Sequence, residues 1–203
     1  MTVPNCRLYF VTPVAGDNGH ISDCLHSAML AGDVAALLVR AQTFAQLDER
    51  VRLLANIGQP SEIAILVDNE IECAKQAGAD GVNVSGDLAV YHEARKVLGS
   101  EMIVGFNAGN ARHLAMAAGE AGADYIAFDD DLSSPEPLAL WWAGLFEIPC
   151  VALQPCGLQG AEDLAKAGVE FICPLDDVWQ SPDHAGAMAK AYTSLFAKVA
   201  EQQ

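Results

Sequence analysis

Basic residues are scarce in this chain: 11 Lys plus Arg stand against 27 Asp plus Glu, a formal net charge of −16. So acidic a protein is repelled by phosphodiester backbones and anionic lipid, so neither nucleic acid nor a membrane surface is an expected partner. Long apolar runs are missing as well; none reaches the roughly 18 residues that a membrane span needs. No basic segment leads into an apolar core near Met1, and a cytoplasmic protein is expected. The six cysteines, Cys6, Cys24, Cys73, Cys150, Cys156 and Cys173, form no C-x-x-C pair and fall mostly within apolar strand or helix patterns. Buried reduced thiols are therefore expected rather than disulfides or metal ligands. The histidines lack H-E-x-x-H spacing, and no G-x-G-x-x-G follows the first strand-like run, so neither a zincin nor a dinucleotide-binding sheet is signalled. No Pro/Gly/Ser stretch is long enough to be a linker, and residues 1–203 read as one domain.

What the chain does have is a phrase stated four times. AGDVAALLV begins at Ala31, AGADGVNVS at Ala77, AGADYIAFD at Ala121 and AGVEFICPL at Ala167, with starts 46, 44 and 46 residues apart. Each copy ends an Ala/Leu-rich helical pattern, stops it at a Gly suited to a left-handed cap, and passes into an apolar strand run. Four more strand runs lie between the copies: LYFVT from Leu8, IAILV from Ile63, MIVGF from Met102 and PCVAL from Pro149. Strands separated by helices run parallel. Eight such units in a chain of 203 residues predict a closed α/β barrel, the (β/α)8 TIM barrel, with an open doubly wound sheet as the alternative. Strands are expected near residues 8–12, 35–40, 63–67, 82–85, 102–106, 125–129, 150–154 and 171–175. Ser22 is expected to cap the first helix and Ser181, followed by Pro182, the last.

In such barrels ligands and chemistry sit where the strands end. Those ends supply Arg40, Gln42, Asp68, Asn69, Asp87, Asn107, Asp129, Asp130, Asp131, Gln154, Asp176 and Asp177, seven carboxylates against one guanidinium. Asp87, Asp131 and Asp177 also suit helix N-caps. Unscreened like charges 4 Å apart repel by about 4 kcal/mol at an effective dielectric of 20, so a convergent set would need a cation. Asp68, Asp87, Asp129 and Asp176 are expected to converge on a weak magnesium or calcium site. The Trp141-Trp142 pair reads as helix packing, with one ring marking a homo-oligomer interface.

The segments LYFVTP at Leu8, LLVR at Leu37, VDNEIECAKQAGADGVNV from Val67, MIVGFNA from Met102, AGADYIAF from Ala121 and IPCVAL from Ile148 resemble, in order and spacing, the thiamine phosphate synthase and thiazole tautomerase family. The resemblance covers nearly the whole chain. It implies a (β/α)8 barrel that joins an aminopyrimidine diphosphate to a thiazole phosphate. It also implies a magnesium ion held by carboxylates near strands three and four, and glycine-rich loops after strands seven and eight that hold the thiazole phosphate. By position, Arg40 matches the arginine that contacts diphosphate, Gln42 stands where a lysine is usual, and Asn107 replaces a serine. Asp68-Asn69 reverses the usual Asn-Asp order. Asp87 matches the second metal carboxylate approximately, and Asp129 completes the metal set expected here.

Later loops depart further. The loop after strand six, Asp129 to Pro135, is acidic and without lysine. Gln154, Pro155, Cys156 and Gly157 replace a glycine pair, and Pro155 has no N–H to offer an anion. Pro174, Leu175, Asp176 and Asp177 replace a serine-containing loop. Each lost charge-assisted hydrogen bond removes about 1.5–3 kcal/mol of phosphate affinity. Three readings stay open: a family member that binds a small molecule at the C-terminal mouth, its synthase chemistry weakened or lost; an active synthase with unusual loops; and a different enzyme using a metal or a cationic substrate.

Overall fold

The structure, a computed structural model, describes residues 6–129 and 137–202. Among these, eight strands alternate with eight helices: β1 (Arg7–Val11), α1 (Asn18–Ala31), β2 (Val34–Val39), α2 (Phe44–Gly58), β3 (Ala64–Asp68), α3 (Ile71–Ala77), β4 (Gly81–Ser85), α4 (Leu88–Leu98), β5 (Ile103–Asn107), α5 (Arg112–Glu120), β6 (Ile126–Phe128), α6 (Leu138–Ala143), β7 (Cys150–Cys156), α7 (Leu158–Lys166), β8 (Phe171–Pro174) and α8 (Pro182–Ala200). Short 3-10 turns precede β3 and α8, at Gln59–Ser61 and Asp176–Trp179. The strands close in sequence order into one parallel barrel, β1 pairing with both β2 and β8, which rules out the open sheet. Each strand begins within one residue of its expected position. No helix among the described residues is long and apolar enough to cross a membrane.

Two details differ from expectation. First, α1 starts four residues before Ser22, because Asp17 caps it by accepting the His20 N–H at 2.9 Å. Second, of the four repeated glycines Gly78, Gly122 and Gly168 are left-handed, but Gly32 is extended at φ −153°. Gly32 is required instead by close approach, since a Cβ there would lie 2.5 Å from the Ala189 carbonyl oxygen of α8. Helix α6 ends at Ala143; Trp142 is buried, stacks on Phe146 with centroids 4.0 Å apart, and donates its indole N–H to the Ile148 carbonyl.

Side chains alternate along each strand. Leu8, Phe10, Leu37, Val39, Ile65 and Val67 point outward into the large core under the helices. Tyr9, Ala36, Leu38, Leu66, Tyr125, Ala127, Val151 and Leu153 fill the barrel interior. The two tyrosines meet inside the barrel, their hydroxyls 3.0 Å apart, and Tyr125 donates onward to the buried Asn83 side-chain carbonyl at 3.0 Å. Gly105 makes room for this: a Cβ on it would lie 2.0 Å from the Tyr125 Cζ. Gly105→Ala is expected to cost about 1–3 kcal/mol of stability by overpacking. In a Tyr125→Ala background the same change is expected to cost less than about 1 kcal/mol, read by urea unfolding of all four variants. Equal costs in both backgrounds would show that the ring is not the obstacle.

Candidate functional site

The same alternation builds the C-terminal rim. Two residues past the interior positions Leu38, Leu66, Asn83, Gly105 and Ala127 come Arg40, Asp68, Ser85, Asn107 and Asp129, so each of these inward rows ends in a polar side chain. Arg40 donates through Nε to Asp68 Oδ2 at 2.9 Å, and Asn107 donates to Asp129 Oδ2 at 3.2 Å. Asn69 is left-handed at φ 60°, a conformation its short amide tolerates. Its carbonyl accepts from the Ser85 N–H and hydroxyl, and its Nδ2 reaches Asp68 Oδ1 at 3.2 Å. Thus Arg40, Asp68 and Asn69 lie together, joined by Ser85, which sequence reasoning did not single out.

Arg40 is held from behind. The buried Thr12 hydroxyl accepts the Arg40 N–H at 2.8 Å. Arg50 on α2 is 3% exposed although charged. Its guanidinium donates to the carbonyls of Arg40, Pro13 and Gly16 and to the Asn18 side-chain oxygen. Burial pushes its pKa down, and four neutral oxygens replace the water it loses. Arg50 thereby ties the loop after β1 to the end of β2. Its signal in the sequence was a charge three residues from Leu47 on the apolar stripe of α2.

Over these strand ends lies a cavity of about 170 Å³ lined by Arg40, Gln42, Thr43, Phe44, Asp68 and Glu70 among others. A second cavity of about 310 Å³ adjoins it at Val14 and Gln42 and is bounded by Asp17, Glu49 and Arg50. In the first, one cation meets two carboxylates. Thr43 lines it while capping α2, accepting the Gln46 N–H at 3.4 Å.

The remaining expected residues have separate settings. Asp87 caps α4 through one oxygen that accepts from Ala89 and Val90 N–H groups, the reading that competed with metal binding in the sequence. Gln154 is exposed at the end of β7, Gly157 begins α7 without a side-chain cap, and Asp176 is exposed at the start of its 3-10 turn. Asp177 lies 3.4 Å from His184 instead of capping α8, which Ser181 does. Asp130, Asp131 and the rest of that loop to Pro135 lie outside the described residues. The expected convergence of Asp68, Asp87, Asp129 and Asp176 on a cation is not found: among the described residues, no three His, Cys, Asp or Glu side chains are grouped to hold a metal. Distinct partners explain it, as Arg40, the α4 amides and Asn107 each draw one carboxylate away.

Cys156, one of the residues that replace the glycine pair after strand seven, does not face the mouth. Val151 and Leu153 point inward, whereas Cys156 belongs to the outer core and its thiol points at the Cys173 carbonyl. Burial pushes its pKa up to about 11.

A closed (β/α)8 barrel whose polar cavities lie over the C-terminal strand ends is the class of enzyme-bearing barrel that places its sites on βα loops. Within that class the chain belongs to the thiamine monophosphate synthase family, whose model matches residues 8–178. It is 33% identical to the thiamine-phosphate synthase of Rhodospirillum centenum over 189 residues, 88% of this chain and 91% of that one. To the thiamine-phosphate synthase of Erythrobacter litoralis it is 35% identical over 201 residues, 91% and 93% of the two chains. Its fold is similar to that of thiamine phosphate pyrophosphorylase from Pyrococcus furiosus, with TM-score 0.79 and 17% identity over 96% of this chain and 97% of that one.

All six cysteines are free and buried. Burial raises the pKa of all six, to about 11 for Cys73 and Cys156, which leaves those two about one part in a thousand thiolate at pH 8, and the thiolate is the reactive form. A thiol reagent at that pH is expected to find no fast-reacting group in the native protein and six after denaturation. One thiol reacting within seconds in the native state would contradict this burial.

Proposed function

We propose that this protein is a divergent member of the thiamine monophosphate synthase family that binds a small molecule at the C-terminal mouth, with coupling of aminopyrimidine diphosphate to thiazole phosphate weakened or lost. The observation that carries this reading is the Arg40–Asp68 pair at 2.9 Å. The resemblance gives Arg40 to diphosphate, and here its charge is already met by a carboxylate. Glu70 adds a second negative charge to the same cavity, and Gln42 supplies none of the positive charge that a lysine would. An incoming diphosphate must displace or outcompete Asp68, and at about 4 Å and an effective dielectric of 20 each such like-charge contact costs about 4 kcal/mol before relaxation.

Magnesium, which the resemblance implies, does not fit the carboxylates as they stand. Asp68 spends one oxygen on Arg40 and the other on the Asn69 amide, and Asp87 spends one on the start of α4. The chain's own groups would act on a ligand by position: Arg40 and the Thr43 hydroxyl as donors, Asp68 and Glu70 as acceptors. That set favours a neutral or cationic polar molecule over a phosphate ester.

A second reading, an active synthase, draws support from relatives named thiamine-phosphate synthase at 33% and 35% identity over most of the chain. Product formation from the two phosphorylated substrates with excess magnesium separates the two. Turnover below about 0.1 s⁻¹ is expected, a hundredth of the ~10 s⁻¹ median for enzymes. Asp68→Asn is expected to tighten pyrophosphate binding about tenfold, roughly 1.4 kcal/mol, by releasing Arg40. Wild-type turnover near the median, or pyrophosphate binding unmoved by the substitution, would favour the second reading.

A further inference from the structure

We propose that the opposite, N-terminal end of the barrel holds a separate site for a small uncharged apolar molecule of about single-ring size. A cavity of about 260 Å³ lies there, walled by Ala36, Ala64, Leu66, Ile103, Val151 and Phe171. Barrel interiors of this kind are normally filled by layers of bulky branched side chains. Here β2 and β3 contribute Ala36 and Ala64, which leave the volume open. The inner wall is formed by Tyr9 and Tyr125. Their hydroxyls are engaged with each other and with Asn83, which does not line the cavity, so the tyrosines present ring carbon to it.

Ala64, Ile103 and Phe171 are partly exposed, so a guest reaches the cavity without opening the barrel. The rim selects against charge. Arg7 is already held by Asp33 through three contacts of 2.7–3.0 Å, and the Glu62 carboxylate repels anions. An enclosed apolar cavity of ~150 Å³ suffices for benzene, and the apolar inner part of this one offers the same kind of wall. The volume here accommodates one ring with a short substituent. Because this cavity is at the far end of the strands from Arg40 and Asp68, its occupancy does not depend on the reading given above for the mouth.

The test is a titration of the full-length protein with toluene, followed by methyl-resolved NMR, with benzoate as the charged control. Saturable shifts are expected at the Ala36, Ala64, Leu66, Ile103 and Val151 methyls with toluene, and at least about tenfold weaker effects with benzoate. Ala64→Leu, which fills the cavity, is expected to keep the fold and abolish the toluene shifts. Should that variant not fold, the wild-type comparison of toluene with benzoate still decides. The absence of saturable shifts at these methyls, or shifts confined to Val14 and Leu47 at the mouth, would overturn the proposal.

Discussion

A strand has two faces, and closing eight of them into a ring commits one face of each to the interior and the other to the helices. Everything functional in this protein follows from that constraint. The outward rows make the large apolar core; the inward rows fill the barrel and, carried two residues further, place Arg40, Asp68, Ser85, Asn107 and Asp129 on one rim. Around Tyr125 the interior packs because opposing residues are matched in size. Gly105 gives up its side chain where Tyr125 crosses, and the Tyr9–Tyr125–Asn83 chain of hydrogen bonds satisfies the hydroxyls that would otherwise be buried without partners.

On the rim, geometry and charge pull in different directions. Thr12 and the buried Arg50 fix the backbone of Arg40, which is the kind of rigid support that a binding arginine needs. Yet the guanidinium so carefully positioned is met by Asp68 rather than left open. A pair this exposed adds on the order of 1 kcal/mol or less to stability. Under the proposed function its larger consequence is for ligand choice, since neutralising the one cation lining the cavity would lower affinity for any anion. The excess of acidic over basic residues, 27 against 11, acts in the same direction from a distance.

Much of the fold was legible because helix and strand periods, the fourfold AG phrase and the parallel-crossover rule all point to one topology. The rim was half legible. Strand ends announce Arg40, Asp68, Asn69, Asn107 and Asp129, but sequence order does not say which side chain meets which. Opposite charges and amides, found by geometry, paired off the carboxylates that spacing alone suggested would converge. Asp17 out-competed Ser22 as the first cap because an Asp just before the helix reaches its free N–H groups, and a serine one turn in does not. Gly32 looked like its three counterparts in sequence, and only the proximity of α8 reveals its different reason. Arg50 was hidden by its position on an apolar stripe, where its long stem packs while its head finds carbonyls.

The commitment of Arg40 to Asp68 is most directly observed at the Arg40 Nε–H itself. In ¹⁵N-resolved spectra of the native protein that proton is expected to exchange slowly, and to stay unmoved while pyrophosphate is added with magnesium to about a hundred times the low-micromolar concentrations at which a dedicated diphosphate site fills. A signal that broadens into solvent exchange in the free protein, or that shifts and saturates at low-micromolar pyrophosphate, would contradict it and return Arg40 to the role of an open diphosphate ligand.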